Sequence, residues 1–124
     1  VEVRGPAASW VEAIEGSGYE RSYRLVHDTF HHHLANEKQY FASMTGLVHL
    51  SSVAAGSLHK EPTDADRILF LEDDLLATRE QAQALVNSGY RGTFSFEPFS
   101  PAVQNLDIES LEMEIQKSIN QLFR

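Results

Sequence analysis

The sequence predicts an α/β domain with parallel strands, on three observations. Three short apolar runs, at residues 25–28, 46–50 and 92–97, each reach a metal-capable side chain near the C-terminal end: Asp28, His49 and Glu97. Leu25-Val26 does not alternate with polar residues, which suits a strand buried on both faces of a parallel sheet. Stretches of helical periodicity lie around these runs, giving the alternation of strands and helices that builds parallel α/β folds. Right-handed crossovers then bring all the C-terminal strand ends to one edge, where Asp28, His49 and Glu97 converge.

The elements follow in order. Residues 1–6 read as the tail of a strand entering a helix, and a first residue Val1 rather than Met suggests a fragment. Ser9 with Glu12 fits a capping box, and Trp10, Val11 and Ile14 would share one buried face until Gly16 and Gly18 end the helix. Residues 23–28 form the first strand. Residues 35–43 suggest an irregular helix, and Gly46 opens a second strand running to about Val53. Residues 54–66 are a polar loop of a length that is often functional. Residues 66–76, with Ile68-Leu69-Phe70-Leu71 before Glu72-Asp73-Asp74, read as irregular or as a short helix. Thr78 and Gln81 fit a second capping box, Ala82, Leu85 and Val86 supply that helix's apolar stripe, and Asn87-Ser88-Gly89 stops it. Tyr90 leads into the third strand, and Pro98 and Pro101 force a turn after Glu97 because proline lacks the ladder donor. Asp107 caps a last helix whose Ile108, Leu111, Ile115, Ile119 and Leu122 define one buried face.

Composition narrows the function. The 124 residues, 42% hydrophobic and 23% charged, suit one folded domain. A formal charge of -8 and ten scattered Lys and Arg argue against nucleic acid as a partner, since phosphate binding needs clustered cations. With no cysteine, disulfides and thiolate metal sites are excluded, and a reducing cytoplasm is the expected location. No apolar run approaches the ~20 residues of a membrane helix, and no signal-peptide pattern is present. No membrane partner is expected.

Val26-His27-Asp28-Thr29-Phe30-His31, Leu47-Val48-His49-Leu50 and the run from Gly89 to Glu97 together resemble the xylose-isomerase-like sugar isomerase and epimerase family of TIM barrels. The motifs look like that barrel's sixth, seventh and eighth strands, so the resemblance implies the C-terminal half of a (β/α)8 barrel as a single partial domain over residues 1–124. It also implies a divalent cation, Mn²⁺, Mg²⁺, Co²⁺ or Zn²⁺, held by Asp28, His49 and Glu97 with a fourth glutamate from the fifth strand. Glu2 lies too close to Asp28 to be that glutamate. The implied reaction isomerises or epimerises a keto-sugar or cyclitol such as inosose through an enediolate, with Glu97 as ligand and proton-transfer group and His31 contacting substrate. Phe30 and Phe99 could shape the pocket. A full barrel takes ~250 residues, so the missing N-terminal half or a second copy of this chain is expected to complete it, and alone it should be nearly inactive. Unpaired edge strands add to the expectation of self-association.

Each residue also has a duller reading. Asp28 could cap a turn, and His49 could be a hydrogen-bonded core histidine. Glu97, between Phe96 and Pro98, needs a partner if buried. His31, His32 and His33 on an extended chain would point alternately, leaving His31 near the site and the others on the surface or a loop. His27 should face the helix layer, His59 should be solvated, and Trp10 should be core. The acidic run at residues 72–74 reads as a helix start favoured by the dipole. Two other functions remain open: an endonuclease IV-like zinc phosphodiesterase, disfavoured by the acidic charge, and a non-catalytic half-barrel interaction module.

Overall fold

The computed structural model describes residues 7–57, 61–70 and 72–124. The expectations placed on residues 1–6, including Glu2, and on His59 lie outside them. Helices α1 (Ala7–Ser17), α2 (Thr29–Leu34), α3 (Thr78–Asn87), α4 (Pro101–Gln104) and α5 (Ile108–Leu122) accompany strands β1 (Leu25–Asp28), β2 (Thr45–Leu50), β3 (Ser52–Val53), β4 (Arg67–Ile68) and β5 (Thr93–Phe96). The central sheet has the order β1-β2-β5 and both pairings are parallel, as predicted. β3 and β4 form a separate antiparallel pair beyond the C-terminal end of β2.

Apolar burial holds the sheet to its helices. Val48 and Leu50 of β2 pack with Ala82 and Leu85 of α3, Leu122 of α5, Phe70 and Tyr90. Val11 and Ile14 of α1 cover Leu25 at the start of β1. A third cluster, Phe30, Val53 and Leu76, lies under the β3–β4 pair. Gly18 and Gly89 take positive φ just past α1 and α3, where a left-handed residue closes a helix and glycine has no steric penalty.

Several expectations are corrected. Glu37, not Ser9, tends the start of α1: its carboxylate accepts the Ala7 N–H at 3.1 Å. Trp10 is 42% exposed, because the buried face of α1 runs through Ala7, Val11 and Ile14 at spacings of four and three. The helix expected at residues 35–43 is instead α2 (Thr29–Leu34), nucleated by Asp28, followed by irregular chain and a 3₁₀ turn at Ala42–Met44. The second strand does not run through to Val53; Ser51 interrupts it. Residues 66–76 contain a two-residue strand, β4, after a 3₁₀ turn at Asp64–Asp66. Thr78 is not a cap: the Asp74 carboxylate accepts the Thr78 and Arg79 N–H groups, while the Thr78 hydroxyl donates to the Ser51 carbonyl at 2.8 Å. α5 is capped by Asp107 as predicted, but its apolar stripe is only partly covered; Leu122 is buried, whereas Ile108 and Ile119 are exposed. Among the described residues, no helix is long and apolar enough to cross a membrane.

Candidate metal centre

The sheet register builds the site. Asp28 pairs with His49 across β1 and β2, and His49 with Ser95 across β2 and β5. Side chains two residues apart on a strand share a face. The Glu97 N–H continues the ladder by donating to the Leu50 carbonyl at 2.9 Å, so Glu97 joins Ser95, His49 and Asp28 on that face. One ligand-capable atom from each of Asp28, His49 and Glu97 lies within 4.8 Å of the others. His49 Nδ1 is 3.2 Å from Glu97 Oε1 and 3.7 Å from Asp28 Oδ2.

These separations suit a cation. Donor atoms bound to one ion at about 2.1 Å stand roughly 3–3.5 Å apart. His49 Nδ1 is buried and has no hydrogen-bond partner, so its lone pair or proton faces only the two carboxylates. Two oxygens and an imidazole nitrogen are a donor set open to Mn²⁺, Mg²⁺, Co²⁺ or Zn²⁺. The residues therefore fit the group that the sequence implied.

Asp28 fulfils its duller reading as well. Its Oδ1 accepts the N–H groups of Phe30 (2.9 Å) and His31 (3.1 Å), capping α2 and leaving Oδ2 for the site. Burial pushes the Asp28 carboxyl up, but the Arg67 guanidinium and the His31 N–H outweigh it and hold the pKa below the ordinary value. Glu97 goes the other way: burial raises its pKa, helped by the neighbouring Asp28 and opposed by Arg67 and His49.

Arg67, which the sequence reading missed, stands at the centre of this arrangement. Its side chain is 1% exposed, and Nη2 lies 2.8 Å from both Asp28 Oδ2 and Glu97 Oε2. Nε donates to Ser51 Oγ at 3.2 Å and Nη1 to Asp64 Oδ1 at 3.2 Å. The rings of Phe30 and Phe99 lie 5.0 and 5.2 Å from the guanidinium carbon. The Arg67 carbonyl accepts the Ser100 N–H at 2.8 Å, fastening β4 to the segment after Glu97. The available signal was a lone cation heading an apolar run, Arg67-Ile68-Leu69-Phe70, since an arginine buried there must be paired.

The other histidines divide. His31 sits on α2, half-buried beside Asp28, with its ring edge-on to Phe30 at 5.2 Å; it is not one of the three converging ligands. The triplet is helical rather than extended, which puts His32 in the interior: it is buried, 4.6 Å from His27 and stacked on Tyr40 at 5.0 Å. Burial and then the neighbouring His27 lower the His32 pKa to about 4. His27 faces the helix layer as predicted, with Nε2 2.9 Å from Gln81 Oε1 on α3.

Comparison with known proteins finds no matching family model and no matching curated relative. Two solved structures match. A xylose isomerase domain-containing protein of Salmonella typhimurium LT2 is 31% identical with a TM-score of 0.86, over 98% of this chain and 46% of its own. The IOLI protein with a bound zinc atom is 20% identical with a TM-score of 0.74, over 97% of this chain and 44% of its own. The chain thus spans less than half the length of either, and its fold is a half barrel of the xylose-isomerase-like kind.

Proposed function

We propose, for a chain that matches the xylose-isomerase-like family over almost its whole length, that it supplies three ligands and part of the acid–base apparatus of a metal-dependent isomerase or epimerase of keto-sugars or cyclitols. The observation that carries this reading is the convergence of Asp28, His49 and Glu97 at the C-terminal ends of three adjacent parallel strands. Zinc bound to the IOLI protein, which shares the fold, supports a divalent ion here.

A divalent ion held by these three residues supplies Lewis-acid polarisation of adjacent oxygens of a hydroxy-ketone. The chain's own residues do the rest. Glu97, just past the end of β5 and 3.2 Å from His49, would be the proton-transfer group as well as a ligand. Asp28 is held rigid by its helix-capping bonds, and Arg67 fixes both carboxylates in place. His31, at the start of the adjoining helix, would contact a substrate hydroxyl. A fourth ligand and a second base belong to the remainder of a barrel, so this half alone is expected to turn over poorly.

Calorimetric titration of Mn²⁺ tests the reading. Saturable binding that disappears in an Asp28→Ala, His49→Ala double variant is the expected result; identical heats from the two proteins would sink it. One observation favours a second reading, a half barrel that serves only as an interaction module: Arg67 is itself a cation 2.8 Å from both carboxylates. The same titration separates the two.

A further inference from the structure

We propose that Arg67 is a resident cation of this centre and that its fixed charge, competing with the bound ion for Asp28, sets how tightly the site holds a divalent metal. The proposal rests on the metal reading above and concerns its regulation.

Asp28 Oδ1 is committed to the Phe30 and His31 N–H groups, so Oδ2 is the oxygen left for a cation. That oxygen is 2.8 Å from Arg67 Nη2 and 3.7 Å from His49 Nδ1, so an ion seated beside His49 draws on the oxygen that Arg67 already holds. Glu97 can divide itself, with Oε2 on Arg67 and Oε1 towards His49. Asp28 has no such choice. The guanidinium is held in place, since Ser51 and Asp64 bind its remaining nitrogens and the Phe30 and Phe99 rings lie within about 5 Å of its carbon. An arginine does not lose its proton in a protein, so the positive charge stays whatever the pH. Because Arg67 and Asp28 are both buried, a fixed cation beside a divalent ion on Asp28 is repelled more strongly than it would be in water. Arg67 therefore keeps the two carboxylates assembled in the empty site and weakens their hold on the ion when it arrives.

Calorimetry with Mn²⁺ alone, at about pH 8 where carboxylates are ionised, decides between charge and shape. Arg67→Met keeps much of the bulk and removes the charge, and should bind about tenfold more tightly than wild type. Arg67→Lys restores a cation and should return the affinity to within about threefold of wild type. Equal or weaker binding by Arg67→Met overturns the proposal, as does a Lys variant that behaves like the Met variant. Binding by Arg67→Met where wild type shows none supports the proposal while failing the metal reading for the unaltered chain; silence from both overturns the two together. If Arg67→Met does not fold, as judged by circular dichroism, Phe99→Ala carries the test. Phe99 is 47% exposed, and removing its ring hydrates one face of the guanidinium. Affinity should then rise about threefold, since water screens the competing charge; no change, or a fall, overturns the proposal.

Discussion

Asp28 uses its two oxygens differently, one to start a helix and one to face the Arg67 guanidinium, so the capping reading of the sequence holds while the second oxygen turns to the candidate site. Spacing and strand-end position made Asp28, His49 and Glu97 legible because each follows an apolar run whose register is set by burial. Arg67 was hard to read because, apart from Asp64, its partners come from the end of β1, the residue after β2 and the residue after β5, all distant in sequence. His32 was misplaced for a similar reason: its burial depends on helix α2, which Asp28 nucleates, and on Tyr40 beyond it. This yields a pH prediction. His32 has a folded pKa of about 4 against 6.5 unfolded, so the unfolded chain binds more protons between those values. The contribution is fully present above about pH 6.5 and is lost as pH falls towards 4, on the order of 2 kcal/mol. Urea unfolding of wild type and His32→Phe across this range checks it: the wild-type slope should be steeper, and equal slopes would count against the burial argument.

At the scale of elements, the sequence revealed those with sustained periodicity and hid the short ones. α5 and α3 have apolar residues at three- and four-residue spacing, and both were placed within a few residues of their observed bounds. β3 and β4, two residues each, are too short to have a period, and they exist because the Arg67 cage and the Ser100 N–H bond hold them. Gln81 shows how tightly α3 is tied to the site layer. It is 2% exposed, lies against His27, and donates to the carbonyls of Thr29 and Leu76. Gln81→Leu would remove its bonds to both carbonyls and to the buried His27 ring, costing about 2–4 kcal/mol. Chemical denaturation measures that loss; a cost under about 1 kcal/mol would show that the bonds contribute little. Leu85→Ala, at a position with no exposed surface in the main cluster, should cost about 2–5 kcal/mol by the same measurement.

The central sheet has two unpaired edges among the described residues. Among the described residues, β1 and β5 each pair only with β2, and Ile108, Met113 and Ile119 of α5 are exposed. We propose that the chain associates with a second copy of itself, since unpaired strand edges and uncovered apolar surface favour pairing. Sedimentation velocity should show species larger than 13.9 kDa as concentration rises, and a monomer throughout would contradict it. The half-barrel architecture was legible from the order of three motifs, whereas the extent of exposure on α5 was not, because periodicity shows which residues share a face and not what covers it. The central claim is that three strand ends form one metal centre, and pulsed electron paramagnetic resonance of bound Mn²⁺ reports on it directly. A hyperfine coupling from one imidazole nitrogen that vanishes in His49→Ala is the expected result; a wild-type spectrum with no nitrogen coupling, or one unchanged by the substitution, would rule out a three-strand centre.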